Sequence, residues 1–145
     1  MEIERKFLVD TLPDLDGVKF DKITQAYLSI TPEARVRKRG EKYYYTEKGE
    51  GALVREEIER EITRDEYETL FEKSEGRVLE KTRYCIPYLD HIIELDIYEG
   101  RHAGLIVAEI EFSSEAQAHS FVAPDWLGKE ITYDISFRNK ILACT

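Results

Sequence analysis

The chain has 145 residues, of which 42% are hydrophobic and 35% are charged, and its formal net charge is −9 at pH 7. This length predicts one domain over residues 1–145, long enough to bury a core of its own. The negative net charge argues against binding to nucleic acid or to an anionic membrane surface, because both of these partners are themselves negatively charged.

Strand-like segments dominate the chain. Apolar and polar residues alternate within them, and Gly40-Glu41, Glu50-Gly51 and Leu89-Asp90 between them are typical of hairpin turns. The eight predicted strands cover residues 2–9, 23–30, 34–39, 42–48, 53–62, 76–87, 91–99 and 105–112. Eight strands joined mostly by short turns predict a mainly β domain of the α+β class, built as a closed antiparallel barrel or a strongly curved sheet.

Three helices are predicted from their capping residues. They cover residues 64–74 after Thr63, with Glu66 completing a capping box; residues 115–121 after Ser113 or Ser114; and a last helix from Asp134 or Ser136 to Ala143. Apolar side chains in and near these helices need a sheet face to cover. These side chains are Leu70, Phe71, Phe121, Trp126 and Leu142. If the helices pack on the outside of the barrel, the opposite face of each strand is directed to the interior.

Charged side chains share one face of several strands, because successive residues of a strand point to opposite faces. In the seventh strand, Glu94 and Asp96 alternate with Ile93, Leu95 and Ile97. A single strand of this kind would ordinarily direct its charges to water. Here the helices cover the apolar faces, so the charged faces are predicted to line one common cavity. Its expected wall consists of Glu2, Glu4, Lys6, Arg35, Arg37, Lys81, Arg83, Glu94, Asp96, Glu109 and Glu111.

A cavity of this composition is suited to a polyanion that binds together with a divalent metal ion. Charges removed from water must be paired, hydrated or bound to a ligand, because the burial of an isolated charge is very costly. Arginine and lysine bind phosphate oxygens, while carboxylates bind Mg²⁺ or Mn²⁺, which in turn bridges phosphates. Glu2, Glu4 and Lys6, which share one strand face, combine both kinds of group within the first six residues.

A set of short motifs is spread over the whole chain. They are Glu2-Ile3-Glu4-Arg5-Lys6, Gln25-Ala26-Tyr27-Leu28, Arg35-Val36-Arg37, Thr46-Glu47-Lys48-Gly49, Arg55 with Glu57 and Glu59, Lys81-Thr82-Arg83-Tyr84, Glu94-Leu95-Asp96, Gly104-Leu105 before Glu109-Ile110-Glu111, and Thr132 with Asn139. In this order they resemble the CYTH domain proteins, also called triphosphate tunnel metalloenzymes. Ala26 replaces a glycine that is usual in the family, which is a small change. The short chain is most similar to the small bacterial members that hydrolyse inorganic triphosphate.

The resemblance implies a charged tunnel through an eight-stranded antiparallel barrel, with helices packed outside and a C-terminal helix that plugs one end. The tunnel would bind a triphosphate with Mg²⁺ or Mn²⁺ as the cofactor. The implied metal ligands are Glu2, Glu4, Glu109 and Glu111. The implied substrate-binding residues are Lys6, Arg35, Arg37, Lys48, Arg55, Lys81, Arg83 and Arg138. The implied catalytic residues are Lys6, Lys81, Glu59 and Asp96.

The predicted function is metal-dependent hydrolysis of inorganic triphosphate to pyrophosphate and phosphate, with a small-molecule polyphosphate as the partner and neither nucleic acid nor a membrane. An adenylyl cyclase, or a hydrolase of nucleoside or thiamine triphosphate, is an alternative on the same fold, although no nucleoside pocket is evident from the sequence. A non-enzymatic module that binds polyphosphate is a third hypothesis. The presence of all four implied carboxylate ligands argues against it.

A cytoplasmic location is expected. Cys85 and Cys144 lie far apart and match neither a disulfide framework nor a zinc site. The sequence shows no signal peptide, and no apolar stretch approaches the roughly 18 residues that a transmembrane helix needs. A reducing compartment fits these observations, and the protein is expected to be a monomer or a homodimer.

Overall fold

A computed structural model describes all residues, 1–145, as nine strands and three short helices. The strands are β1 (Glu2–Leu8), β2 (Lys19–Ser29), β3 (Glu33–Arg39), β4 (Lys42–Lys48), β5 (Val54–Arg55), β6 (Glu57–Ile62), β7 (Val78–Tyr88), β8 (His91–Tyr98) and β9 (Ile106–Glu111). The helices are α1 (Arg64–Glu72), α2 (Glu115–Ser120) and α3 (Asn139–Leu142), with 3-10 turns at Gly100–His102 and Ile135–Phe137. None of the helices is long and apolar enough to cross a membrane.

The strands form one antiparallel sheet in the order β5-β1-β9-β8-β7-β2-β3-β4-β6. The predicted strand over residues 53–62 is interrupted at Glu56. Its first part pairs with β1, where Glu2 faces Arg55, and its second part pairs with β4, where Thr46 faces Glu59. Because β5 and β6 follow each other in the chain but lie at opposite ends of the strand order, the sheet curls into a nearly closed barrel. The predicted barrel is therefore confirmed, with nine strands instead of eight.

Apolar side chains on the outer face of the barrel pack against the helices. The largest cluster contains Phe7, Leu95 and Ile110 from the strands and Phe121 at the end of α2, with Trp126 packed against it. A second cluster of Ala26, Val36, Ile62 and Tyr67 receives Leu70 and Phe71 of α1. Helix α1 begins as predicted, with Thr63 and Glu66 forming a capping box. These contacts confirm that helices cover the apolar faces and that the charged faces point inward.

The inner face is divided into an apolar end and a charged end. A cluster of Tyr27, Leu79, Tyr98, Val107, Ile131, Leu142 and Ala143 fills one end. Val107 is the strand partner of Asp96, so this cluster lies on the same face as the inward-pointing charges. The prediction that Leu142 covers the outer face was therefore wrong, because the C-terminal segment enters the barrel mouth and buries Leu142 among inward-facing residues.

The C-terminal segment closes this apolar end of the barrel. It runs along β1, where the Leu8 amide donates to the Lys129 carbonyl at 2.8 Å and the Ile131 amide donates to the Lys6 carbonyl at 2.8 Å. The predicted last helix is broken at Arg138, whose backbone is extended (φ −67°, ψ 138°), into the 3-10 turn and α3. The implied plug is thus present as two short helical turns.

Candidate active site

The charged end of the barrel interior encloses a cavity of about 210 Å³. Its carboxylates are Glu2, Glu4, Glu33, Glu57, Glu59, Glu94, Glu109 and Glu111. Its cationic side chains are Lys6, Arg35, Arg37, Arg39, Lys48, Arg55, Arg83 and Arg138, and Tyr27 and Asn139 complete the wall. The eight carboxylates and eight cations balance, so the wall has no net formal charge although the whole chain has a charge of −9.

Most of the predicted site residues lie on this wall, but Lys81 and Asp96 do not. Both side chains are 0% exposed, and Lys81 Nζ lies 2.8 Å from Asp96 Oδ2. The prediction that these two residues line the cavity was wrong. The alternation of side chains along a strand correctly placed them on the inner face, but at their depth the barrel interior is already filled by other side chains. Tyr98, the strand partner of Lys81, belongs to the apolar cluster at that level, and the Lys81 ammonium lies 5.5 Å from the centre of its ring.

Asp96 fixes the orientation of Arg83. The Arg83 guanidinium donates two hydrogen bonds to the Asp96 carboxylate, Nε to Oδ1 at 2.8 Å and Nη2 to Oδ2 at 2.9 Å. Burial alone would raise the pKa of Asp96, but Arg83 and Lys81 hold it below its usual value. On the cavity wall, Arg83 Nη1 also lies 3.3 Å from Glu94 Oε2, and Arg83 Nη2 lies 3.5 Å from Glu109 Oε2. A bidentate pair of this kind fixes the plane of the guanidinium.

Other charges on the wall are paired across strands. The pairs are Lys48 with Glu2 at 3.0 Å and with Glu57 at 3.5 Å, Arg55 with Glu33 at 2.6 Å, Arg37 with Glu59 at 3.4 Å, Lys6 with Glu109 at 3.5 Å, and Arg39 with Glu94 at 3.6 Å. Four charged wall residues have no oppositely charged group within 4.0 Å. They are the carboxylates Glu4 and Glu111 and the guanidinium groups of Arg35 and Arg138. The wall therefore keeps two negative and two positive groups available for a ligand.

Glu4 and Glu111 are direct strand partners on β1 and β9. Burial, together with Glu109 and Glu2, raises the pKa of Glu4 well above its usual value. Burial and the nearby carboxylates of Glu2 and Glu94 also raise the pKa of Glu111. Two adjacent carboxylates without cationic partners are oxygen donors of the kind that a hard divalent cation binds.

The donor set fits a metal ion that arrives with its substrate. No group of three or more His, Cys, Asp or Glu side chains is placed to hold a metal ion by itself. Mg²⁺ is usually bound through one or two carboxylates, substrate phosphates and water, and rarely by a cage made of protein alone. Glu4 and Glu111 match this requirement, and no third protein ligand is needed.

Two guanidinium donors on the wall have no partner at all. Arg35 Nε and Arg37 Nε are buried and make no hydrogen bond. Burial and the charges of Arg35 and Arg83 lower the pKa of Arg37 to about 10. A buried donor without an acceptor costs roughly 1–3 kcal/mol, and an anion between these side chains would supply acceptors to both. The two residues thus form the candidate anion-binding part of the wall.

Several wall residues were not among the predicted site residues. Arg39 and Glu57 share strand faces with predicted residues, and Glu33 lies two positions before Arg35, so strand parity could have identified all three. Tyr27 also follows this parity, but its hydroxyl accepts from Gln25 Nε2 at 3.0 Å and its side chain belongs largely to the apolar cluster. Asn139 comes from the C-terminal segment, and no periodic pattern predicts its position.

Comparisons with known proteins agree with this geometry. The family model described as CYTH domain matches residues 1–136. The chain is 44% identical to an inorganic triphosphatase of Nitrosomonas europaea, with 98% of this chain and 96% of that protein covered. It is 34% identical to an inorganic triphosphatase of Acetivibrio thermocellus, with 97% and 92% covered. A crystal structure of an inorganic triphosphatase superposes with a TM-score of 0.74 at 39% identity, covering 100% of this chain and 95% of that one. The chain therefore belongs to the CYTH domain family.

Proposed function

We propose that this protein hydrolyses inorganic triphosphate to pyrophosphate and phosphate in the charged cavity, with Mg²⁺ or Mn²⁺ as the cofactor. The observation that carries the proposal is the set of wall charges without partners, two carboxylates and two guanidinium groups, beside two orphaned arginine donors. A polyphosphate that brings divalent cations presents both signs of charge and matches this set. The two curated relatives, which are named as inorganic triphosphatases, support the same substrate.

The balance of charges in the wall favours a polyanion accompanied by metal ions over a polyanion alone. A wall with eight cations and eight carboxylates offers little net attraction to a naked triphosphate. The wall carboxylates would hold divalent cations, which would lower the negative charge of the triphosphate and keep these carboxylates from repelling it. Arg35 and Arg37, with their unsatisfied donors, are the proposed central contacts for phosphate oxygens.

Glu4 and Glu111 are the proposed principal metal ligands, because no cation competes for them. Glu2 and Glu109 are proposed to join them after Lys48 and Lys6, their present partners, turn to phosphate. A bound Mg²⁺ or Mn²⁺ would neutralise phosphate charge and polarise the phosphorus–oxygen bonds. The protein groups do the rest of the chemistry, which is mainly the positioning of substrate and water.

Phosphoryl transfer requires an in-line arrangement of the attacking and leaving oxygens and stabilisation of spread negative charge. The cationic side chains of the wall are proposed to supply that stabilisation, and the two hydrogen bonds to Asp96 hold the Arg83 guanidinium in a fixed orientation for it. Glu59 is the proposed water-positioning carboxylate, because Thr46 Oγ1 donates to it at 2.7 Å and Arg37 Nη2 at 3.4 Å. Lys81, buried behind the wall, is proposed to act through Asp96 as a positioning residue.

The alternative substrates are less well matched by the wall. A cyclase or a nucleoside triphosphatase needs a surface for the base, and bases stack on aromatic or apolar side chains. Tyr27 is the one hydrophobic residue of the wall, and it is 0% exposed. A module that only binds polyphosphate would have no use for the unpaired Glu4 and Glu111.

The test is to incubate the purified protein with tripolyphosphate, ATP or thiamine triphosphate in the presence of Mg²⁺ or Mn²⁺ and to identify the products. Tripolyphosphate is expected to give equal amounts of pyrophosphate and phosphate. Phosphate is expected to be released much more slowly from ATP and thiamine triphosphate. The isosteric variant Glu111→Gln is the matched control and is expected to be inactive. Formation of cyclic AMP, or equal rates with all three compounds, would overturn the proposal.

A further inference from the structure

We propose that Arg138 sets the length of the polyphosphate that the cavity accepts, a proposal that rests on the proposed function. Its guanidinium would bind the terminal phosphate of a three-phosphate chain, and its side chain forms the wall that excludes a fourth phosphate. The proposal identifies a specificity-determining residue in the C-terminal segment.

A second, smaller cavity lies directly behind the main one. It has a volume of about 30 Å³, room for about one water molecule. Glu4, Lys6, Arg55 and Arg138 line both cavities and so form the partition between them. On the far side of the partition lie residues of the C-terminal segment, including Thr132. The main cavity ends at these four side chains.

Arg138 differs from the other three members of the partition. Arg55 is paired with Glu33 at 2.6 Å, and Lys6 is paired with Glu109 at 3.5 Å. Glu4 is a carboxyl group and a proposed metal ligand, so it offers no donor of positive charge to a phosphate. Arg138 has no carboxylate within 4.0 Å, so its positive charge is free for a phosphate oxygen.

A backbone contact holds the Arg138 side chain across the partition. Its Nη2 donates to the carbonyl oxygen of Gly51 in the turn between β4 and β5. Gly51 has a φ of +126°, and a Cβ at this position would overlap the carbonyl oxygen of Val54, so the turn requires glycine. This turn is itself held against β1, because the Glu4 amide donates a hydrogen bond to the Leu53 carbonyl at 3.0 Å.

Arg138 also lies at the closed end of the barrel, where a residue that limits the length of the polyphosphate is expected. The next residue, Asn139, accepts a hydrogen bond from Tyr98 of the apolar cluster, and the preceding Phe137 carbonyl accepts one from Lys6 Nζ at 3.5 Å. A linear substrate that extends toward the C-terminal segment would meet the Arg138 side chain at the partition.

Two variants separate the charge of Arg138 from its bulk. Arg138→Met keeps a long side chain but removes the donors, whereas Arg138→Ala removes both and joins the two cavities. The measurement is kcat/KM for tripolyphosphate and for linear tetrapolyphosphate, followed by the release of phosphate and pyrophosphate, with thermal unfolding as the folding control.

The wild type is expected to prefer tripolyphosphate. Both variants lose a charge-assisted hydrogen bond to the terminal phosphate, so their kcat/KM for tripolyphosphate is expected to fall by about tenfold or more. Only Arg138→Ala is expected to raise the ratio of tetrapolyphosphate to tripolyphosphate hydrolysis, since only this variant opens the partition.

Any other outcome contradicts the proposal that Arg138 limits the length of the polyphosphate. An unchanged ratio in Arg138→Ala would show that Arg138 is no barrier, and an equal rise in Arg138→Met would show that charge and not bulk sets the length. A wild type that hydrolyses both substrates equally well has no length limit at this position. A wild type that hydrolyses neither would instead refute the proposed function, so the two failures are distinguishable.

Discussion

Replacing Lys81 with methionine is expected to change how the stability of the protein depends on pH. Burial lowers the pKa of Lys81 to about 8, against the opposing attraction of Asp96. The lysine is 1% exposed as a residue, so its charged form gains nothing from solvent. Methionine fills a similar volume without a charge, and Asp96 keeps its two hydrogen bonds to Arg83.

The sign and the size follow from linkage. Between pH 8 and the unfolded pKa of 10.5, the unfolded chain binds more protons than the folded protein, so the free energy of unfolding rises with pH. One pKa unit corresponds to about 1.4 kcal/mol, so the full rise from this lysine is about 3 kcal/mol, most of it reached by pH 10. Below pH 8 the contribution levels off at its least favourable value.

The assay is urea unfolding of the wild type and of Lys81→Met from pH 7 to pH 10, followed by circular dichroism. The variant is expected to lack the lysine contribution, so the wild type gains about 2–3 kcal/mol relative to it over this range. Lys22→Met is the control, because that side chain is 69% exposed and its pair with Glu99 contributes at most about 1 kcal/mol. Parallel pH profiles of the wild type and Lys81→Met would refute the reasoning.

Asp96→Asn is expected to lower the free energy of unfolding by about 3–5 kcal/mol more than Lys81→Met at pH 7, because it leaves two buried cations without their carboxylate. Urea unfolding measures both values, and equal losses of stability in the two variants would contradict this expectation. Glu4→Gln is expected to abolish hydrolysis yet raise the free energy of unfolding, since it removes an unpaired carboxylate; full activity at saturating metal would count against the role. Arg35→Ala is expected to lower kcat/KM for tripolyphosphate about 30- to 1000-fold, with partial recovery in Arg35→Lys. Thr63→Ala is expected to cost about 1 kcal/mol of stability through the α1 cap without changing kcat.

The direction of each strand side chain could be predicted from sequence, but its depth in the barrel could not. The alternation of side chains along a strand correctly predicted that Glu94, Asp96 and Lys81 point to the interior of the barrel. Only the pairing of strands distant in sequence decides that Glu94 lies at the cavity while Asp96 and Lys81 lie beside the apolar cluster. The same limit explains Leu142, whose apolar character shows that it is buried but not on which side of the sheet.

The break at Glu56 also depends on distant parts of the chain. The local pattern of residues 53–62 is that of one strand, and nothing in it marks an interruption. The interruption arises because this segment must pair with β1 at its start and with β4 at its end, and the curvature of a small barrel does not let one straight strand do both. Closure of the barrel therefore sets a boundary that local propensity does not contain.

The pairing of charges in the wall explains how a cavity lined by buried charges can be stable and still bind a polyanion. Lys48 is paired with Glu2 and Lys6 with Glu109, so few buried charges of the wall lack a partner. On binding, phosphate would take over the lysines and metal would take over the carboxylates, an exchange of partners in which no charge is left uncompensated. Under the proposed function, substrate and metal are therefore expected to bind best together, because a ligand that took over only the carboxylates or only the lysines of these pairs would leave the other members without them.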